Sequence, residues 1–130
     1  MITIHYTNTT KASIDPKEYL QTIRTFLPKY GIIDNVEVEL RIIGAIKMRQ
    51  LNNQYRHKDY ATDVLSFPIW PNLETIKQQP GHISLGSIVV CLPTAIADAK
   101  KEQQPVNEKI SFLIEHSLLH LMGFHHEGDE

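Results

Sequence analysis

The chain has 130 residues, of which 42% are hydrophobic and 22% charged, as expected for one globular domain with one core. Its net charge of −2 excludes a globally basic nucleic-acid-binding protein, so any contact with RNA must come from a local patch. Cys91 is the only cysteine, which excludes an internal disulfide and favours a reducing, cytoplasmic environment. No apolar run approaches the ~20 residues of a membrane span and no signal-peptide pattern is visible, so we expect no membrane contact.

The first half of the chain predicts strands and helices in alternation. Residues 2–6 (ITIHY) alternate apolar and polar side chains as a strand does. Asp15, followed by a proline, predicts the start of a helix that ends near Pro28. Residues 35–43 (NVEVELRII) are the clearest strand, with four aliphatic side chains on one face. Residues 45–56 then have roughly helical spacing at Ile46, Met48, Leu51 and Tyr55, which predicts a second helix.

The second half begins with a short strand in which Pro68 allows only an edge position or a bulge. Residues 71–82 contain two prolines and a glycine and predict a flexible connection. Residues 83–92 form an apolar strand, and Pro93 and Pro105 each open a helix.

This order of elements predicts the fold class. We expect a single domain over residues 1–130, of the α/β (α+β) class, with a small mixed four-stranded sheet covered by helices. The early alternation predicts parallel strands, and the two later strands can pair directly.

The last predicted helix, which runs to about Met122, is apolar on most sides. An apolar stripe comprises Ile110, Ile114, Leu118 and Leu121, and Phe112 and Leu119 are apolar residues on the opposite side. A helix that is apolar nearly all round is buried, so we expect this helix to be buried.

Four of the seven histidines lie between residues 116 and 126. His116 and His120 are four residues apart, about 40° around a helix, which is the arrangement that holds one metal ion. Gly123 can then turn the chain back. The metzincin spacing H-E-x-x-H-x-x-G-x-x-H selects His126 as the third ligand and leaves His125 as an exposed neighbour. Core or surface histidines are the alternative, but the spacing and the turn glycine argue against it.

Three histidine nitrogens leave one coordination position open, as in catalytic zinc sites. We therefore expect one zinc ion per chain, and nickel or another divalent ion also suits imidazole. Metallopeptidases of this helical type carry their general base directly after the first histidine, where this chain has Ser117. An RNA phosphodiester, which brings its own 2′-hydroxyl nucleophile, fits such a site better than a peptide.

A second group of chemical interest lies between residues 55 and 60. Tyr55 and Tyr60 can stack on unpaired bases, while Arg56 and Lys58 can follow phosphates. A solvated helix end that happens to carry two tyrosines explains the same residues equally well.

Three motifs resemble the YbeY family, metal-dependent endoribonucleases of bacterial rRNA maturation. The family block L-N-x-x-Y-R-x-K-D-x-x-T-D-V-L-S-F-P appears at residues 51–68 as LNNQYRHKDYATDVLSFP. The terminal block H-G-x-L-H-L-x-G-Y-D-H appears at residues 116–126 as HSLLHLMGFHH, and L-G-D-I appears at residues 85–88 as LGSI. Ser87, Ser117 and His125 replace an aspartate, a glycine and an aspartate of the family pattern.

The resemblance implies a metal-dependent endoribonuclease that cuts single-stranded RNA in rRNA maturation and ribosome quality control. It also implies that Arg56 is catalytic and stabilises the phosphoryl charge, and that ribosomal particles and assembly factors are partners. Two alternatives remain: a zincin-like metallopeptidase, and a non-catalytic ribosome-assembly factor whose zinc only stabilises the fold. The oligomeric state is not indicated.

Overall fold

The computed structural model describes residues 1–125, which form one sheet and a set of short helices. In chain order the elements are β1 (Ile2–Asn8), α1 (Lys17–Phe26), a 3₁₀ helix (Leu27–Tyr30), β2 (Val36–Ile43), α2 (Ala45–Arg56), β3 (Val64–Pro68), α3 (Leu73–Lys77), β4 (Ile83–Cys91), α4 (Leu92–Lys101) and α5 (Val106–Leu121). No helix within this part of the chain is both long and apolar enough to cross a bilayer.

The four strands are ordered β1-β2-β4-β3 across the sheet. β1, β2 and β4 are parallel, whereas β3 runs antiparallel to β4 at the edge. The predicted mixed four-stranded sheet is therefore confirmed, and Pro68 lies on an edge strand as expected. Gly86 faces Pro68 in this pairing and has a φ of +117°. A Cβ there would lie 2.2 Å from the carbonyl oxygen of Phe67, so only glycine lets the edge strand approach.

One face of the sheet carries the larger core. The alternate β2 residues Val36, Val38, Leu40 and Ile42 are all buried there, as their spacing predicts. Tyr19 and Ile23 of α1 and the apolar stripe of α5 pack against this face. Because the apolar stripe of α5 packs in this core, another side of the helix faces the edge strand β3.

The other face carries a smaller core under α2. Met48 is fully buried against Leu65, Val89 and Cys91. Ile46, one of the four residues whose spacing predicts this helix, is 80% exposed. The predicted helix is present, and two residues correspond to about 200° around it, which turns Ile46 away from Met48.

The connection between β3 and β4, predicted as flexible, contains the short helix α3. Asn72 caps this helix, since its side-chain oxygen accepts a hydrogen bond of 2.8 Å from the Thr75 amide. Ile76 is buried and fastens the segment to the main core. The connection therefore packs against the domain as structured chain.

Candidate active-site cleft

A cleft of about 620 Å³ lies between α5, the end of α2 and the edge strand β3. Its lining comprises Tyr55, Arg56, residues 62–68, Lys109, Phe112, Leu113, His116 and His120. Two groups that are sixty residues apart in the sequence, the histidine pair and Arg56, therefore meet in one cavity.

The histidine pair faces the cleft because the other side of α5 is buried. Ile114 and Leu118 are fully buried against the sheet. His116 and His120 are half-buried on the cleft side, with their ring centroids 4.5 Å apart. The i, i+4 spacing thus places two imidazoles side by side, as a shared metal ion requires.

The chain turns sharply after α5, as Gly123 predicts. Gly123 has a φ of +86°, and its amide donates to the His120 carbonyl oxygen at 3.0 Å. A Cβ at this position would lie 2.4 Å from the carbonyl oxygen of Pro71. Glycine is therefore required both by the left-handed backbone and by the neighbouring loop.

The turn brings His125 towards the histidine pair. His125 is exposed, and its ring centroid is 5.5 Å from that of His120. His126, the predicted third ligand, lies outside the described residues. Within residues 1–125 no three potential ligands are arranged to hold a metal ion. The ligand set of His116, His120 and His126 stays a prediction.

Phe112 is exposed, although the sequence predicted a helix that is buried all round. It is 59% exposed and lines the cleft. Phe112 precedes His116 by four residues, so the spacing that pairs the histidines also places Phe112 in their row. The ring planes of Phe112 and His116 are 13° from parallel, with centroids 6.4 Å apart.

Lys109 is a cleft residue that the sequence did not reveal. Its side chain is nearly buried, and its ammonium group forms an ion pair of 2.8 Å with Glu102. The same ammonium lies 5.7 Å from the centroid of the Phe112 ring. The pair links α5 to the residue that follows α4, a contact that no helical periodicity predicts, so only the folded chain shows it.

Arg56 is the last residue of α2 and reaches the cleft because the helix stops there. His57 adopts a left-handed conformation with a φ of +58°, and its amide bonds back to Asn53. Asn52 is fully buried, and its side-chain amide donates to the Tyr60 carbonyl at 2.9 Å. The loop after α2 is thereby fixed to the helix.

Asp59 fixes the same loop from outside. Arg49 donates to both of its carboxylate oxygens, at 2.8 and 3.0 Å. This hydrogen-bonded guanidinium lowers the pKa of Asp59 below its ordinary value. Both side chains are largely exposed, and neither lines the cleft.

The three RNA-binding candidates separate in the structure. Tyr55 lines the cleft, is 57% exposed and meets Phe67 edge to face at 5.0 Å. Lys58 and Tyr60 do not line the cleft, although Tyr60 is 52% exposed. The cleft therefore brings together Arg56 and Tyr55 and leaves the other two candidates on the adjoining surface.

Ser117 occupies the position of a metallopeptidase general base but is fully buried. Its hydroxyl oxygen lies 2.6 Å from that of Ser66 on β3, a short hydrogen bond. Ser66 lines the cleft, so the pair lies at the junction of cleft and core. Ser87, on β4, donates to Glu39 at 3.0 Å.

The family model described as Endoribonuclease YbeY matches residues 4–130. The chain belongs to the YbeY family. A relative named Endoribonuclease YbeY from Nautilia profundicola is 39% identical over 100 residues, which are 77% of this chain and 66% of the relative. Relatives of the same name from a Thermoanaerobacter species and from Alkaliphilus metalliredigens are 33% and 36% identical. They match 85% and 82% of this chain, and 74% and 68% of their own length.

A solved structure supports the same fold. The chain is similar to the solution structure of a Thermotoga maritima protein, with 25% sequence identity and a TM-score of 0.64. The match covers 100% of this chain and 77% of the other. The three YbeY motifs of the sequence coincide with structural features. Tyr55, Arg56 and residues 62–68 of the first motif line the cleft together with the helical histidines, and Gly86 admits the edge strand.

Proposed function

We propose that this protein is a metal-dependent endoribonuclease that cuts single-stranded RNA. The observation that carries the proposal is the shared cleft: Arg56 and the pair His116 and His120 line one cavity, in a chain of the YbeY family. The relatives are named endoribonucleases, and their names supply the reaction class. A cleft that combines imidazoles with a guanidinium suits a phosphodiester. The imidazoles can bind a metal ion, and the guanidinium can bind the phosphate anion.

The residues present fit a zinc ion. His116 and His120 supply two imidazole donors from one helix face, and we propose His126 as the third. When bound, zinc polarises a phosphoryl oxygen and lowers the pKa of coordinated water. Nickel or another divalent ion is an alternative because imidazole accepts each of them.

The chain's own residues bind and orient the strand. Arg56 donates from a planar guanidinium fork, so it stabilises the additional negative charge on the phosphoryl oxygens. Tyr55 offers an exposed ring to an unpaired base at the cleft. Lys58 and Tyr60 would act on the strand beyond the cleft.

We propose rRNA as the substrate, and ribosomal particles with their assembly factors as partners in the cytoplasm. This finer statement is supported by the resemblance of the sequence motifs and by the membership of the family. On the basis of the same motifs and family membership, we also propose a role in ribosome quality control.

The two alternative functions receive less support. A zincin-like peptidase needs a general base after the first histidine, and Ser117 there is buried and bonded to Ser66. A non-catalytic assembly factor would use zinc only to stabilise the terminal turn. The relatives' names favour neither alternative.

The deciding experiment measures metal content and cleavage together. The purified protein is analysed for bound metal and mixed with labelled single-stranded RNA, the matching duplex and a peptide panel. We expect bound zinc, or another divalent ion, and cleavage of the single strand alone. A chelator should abolish cleavage, and the metal should restore it. Cleavage of peptides but not RNA, or chelation that melts an inactive protein, would support the respective alternative.

A further inference from the structure

Phe112 stands out because it leaves a large aromatic ring exposed on a helix that otherwise buries its apolar residues. Ile110, Ile114 and Leu118 on α5 are fully buried, whereas Phe112 is 59% exposed. An exposed phenylalanine contributes little burial to folding, so packing does not account for it. The ring lies inside the cleft wall, not at a random position on the surface.

The surroundings of the ring indicate what it contacts. Phe112 lies one helical turn before His116, with the two ring planes 13° from parallel. Lys109, which is ion-paired with Glu102, places its ammonium 5.7 Å from the ring centroid and so restrains the ring. Tyr55 lines the same cleft from α2 and is also largely exposed. Exposed aromatic rings beside cations are the elements that hold unpaired nucleobases.

We propose that Phe112 is a stacking platform for one unpaired base of the RNA, next to the phosphate at the histidine pair. The inference rests on the proposed function and adds a residue that positions the substrate. Stacking on a ring requires an unstacked base, so Phe112 contributes to the choice of single strands over duplexes. Its position one turn from His116 fixes where the strand lies relative to the site of cleavage.

The test compares four substitutions of Phe112 in steady-state cleavage of a single-stranded RNA decamer by the zinc-loaded protein. Phe112→Ala should raise KM by about tenfold or more with kcat little changed, because one stacking contact is lost. Phe112→Tyr and Phe112→Trp should keep KM near the wild-type value. Phe112→Leu, which is apolar but cannot stack, should behave like Phe112→Ala. Ile96→Ala is the matched control, since Ile96 is 45% exposed and lies outside the cleft.

A series of decamers, each with one abasic nucleotide, locates the base. The wild-type protein should lose affinity at one position beside the cut, and Phe112→Ala should be insensitive at that position because the contact is already gone. Three outcomes would each overturn the inference while leaving the proposed function intact. The first is a wild-type KM in Phe112→Ala, and the second is the same KM in Phe112→Leu and Phe112→Tyr. The third is a Phe112→Ala protein that is as sensitive to the abasic position as the wild type. If the wild-type protein cuts no RNA, the proposed function fails and the inference fails with it. Should Phe112→Ala not fold, the leucine and tyrosine comparison decides.

Discussion

Ser117 on α5 and Ser66 on β3 share a hydrogen bond, with their hydroxyl oxygens 2.6 Å apart. The bond joins the helix that carries the histidine pair to the edge strand that forms the cleft floor. It also explains why position 117 does not offer a general base: the side chain is fully buried. The serine that departs from the family pattern is therefore a structural contact in this chain.

Removing one hydroxyl of this pair should destabilise the fold. Ser66→Ala leaves the fully buried Ser117 hydroxyl without this partner, and an unsatisfied buried hydroxyl costs about 1–3 kcal/mol. Urea denaturation of Ser66→Ala, Ser117→Ala and the double variant checks it. We expect the double variant to lose less than the sum of the single losses, because both polar groups are then removed. Strict additivity would show that the two hydroxyls do not interact.

Gly123→Ala should destabilise the protein more than Gly81→Ala. Both glycines have positive φ, +86° and +72°, and alanine is strained by about 1–2 kcal/mol in that region. A Cβ on Gly81 meets nothing within 4 Å, whereas on Gly123 it lies 2.4 Å from the Pro71 oxygen. The difference in unfolding free energy between the two variants isolates the clash. Gly123→Ala should also weaken metal binding, because it displaces the turn that follows His120. Equal losses would indicate that the loop at Pro71 yields freely.

Much of the fold could be predicted because local signals and tertiary packing agree. The alternation in β2 and the proline before α1 each depend on a few neighbouring residues, and the structure follows them. Phe112 is exposed, contrary to the prediction of a helix buried all round, because the core covers one side of α5 and leaves the row that contains Phe112 and the histidines at the cleft. The helix α3 was missed although its cap, Asn72, is a recognisable signal.

The candidate site could be predicted only in part. His116 and His120 follow from helical geometry, but Arg56 came from a family block, because no periodicity relates α2 to α5. Lys109 could not be found, since its partner Glu102 lies just beyond the end of α4 and its place in the cleft depends on how α5 packs. Lys58 and Tyr60 are predicted to bind RNA as a basic and an aromatic side chain close to Arg56 in sequence, but the helix ends at the left-handed His57 and neither residue lines the cleft.

Alkaline pH should destabilise the protein through Tyr19. Burial raises the pKa of Tyr19 from 10.0 to about 12, with Tyr6 and Glu18 acting in the same direction. The folded state therefore holds the phenol proton more tightly than the unfolded state. Its contribution to stability is complete below pH 10 and is lost as the pH rises towards 12.

The measurement is the urea midpoint at pH 8, 10 and 11 for the wild type and Tyr19→Phe. The variant should lose some stability at pH 8, since the Tyr19 hydroxyl bonds to Asn107, but should fall less steeply above pH 10. Tyr60→Phe is the control, because Tyr60 is 52% exposed. A slope in Tyr19→Phe equal to that of the wild type would place the alkaline sensitivity elsewhere; burial also raises the pKa of Tyr6.

Substitution of His116 should remove the metal and the activity together. In His116→Ala one of the two imidazoles on the face of α5 is lost, which leaves His120 without its neighbour at 4.5 Å. Metal content by mass spectrometry and cleavage of single-stranded RNA should both fall to background. His5→Ala is the control, since His5 is 57% exposed and lies outside the cleft. Full zinc content in His116→Ala would remove this residue from the ligand set.

Substitution of Arg56 should separate metal binding from catalysis. Arg56 lines the cleft from α2, whereas the proposed ligands come from α5 and the residues after it, so Arg56→Ala should keep its metal. Its cleavage rate should fall by about 10²-fold or more, because the charge that develops on the phosphoryl oxygens loses its donor. Arg56→Lys should recover only part of the rate, since an ammonium cannot donate two parallel bonds to one phosphoryl group. Arg24→Ala, an exposed arginine of α1, controls for the lost charge. Normal cleavage by Arg56→Ala would exclude the guanidinium from the reaction and leave its place in the cleft as a structural feature.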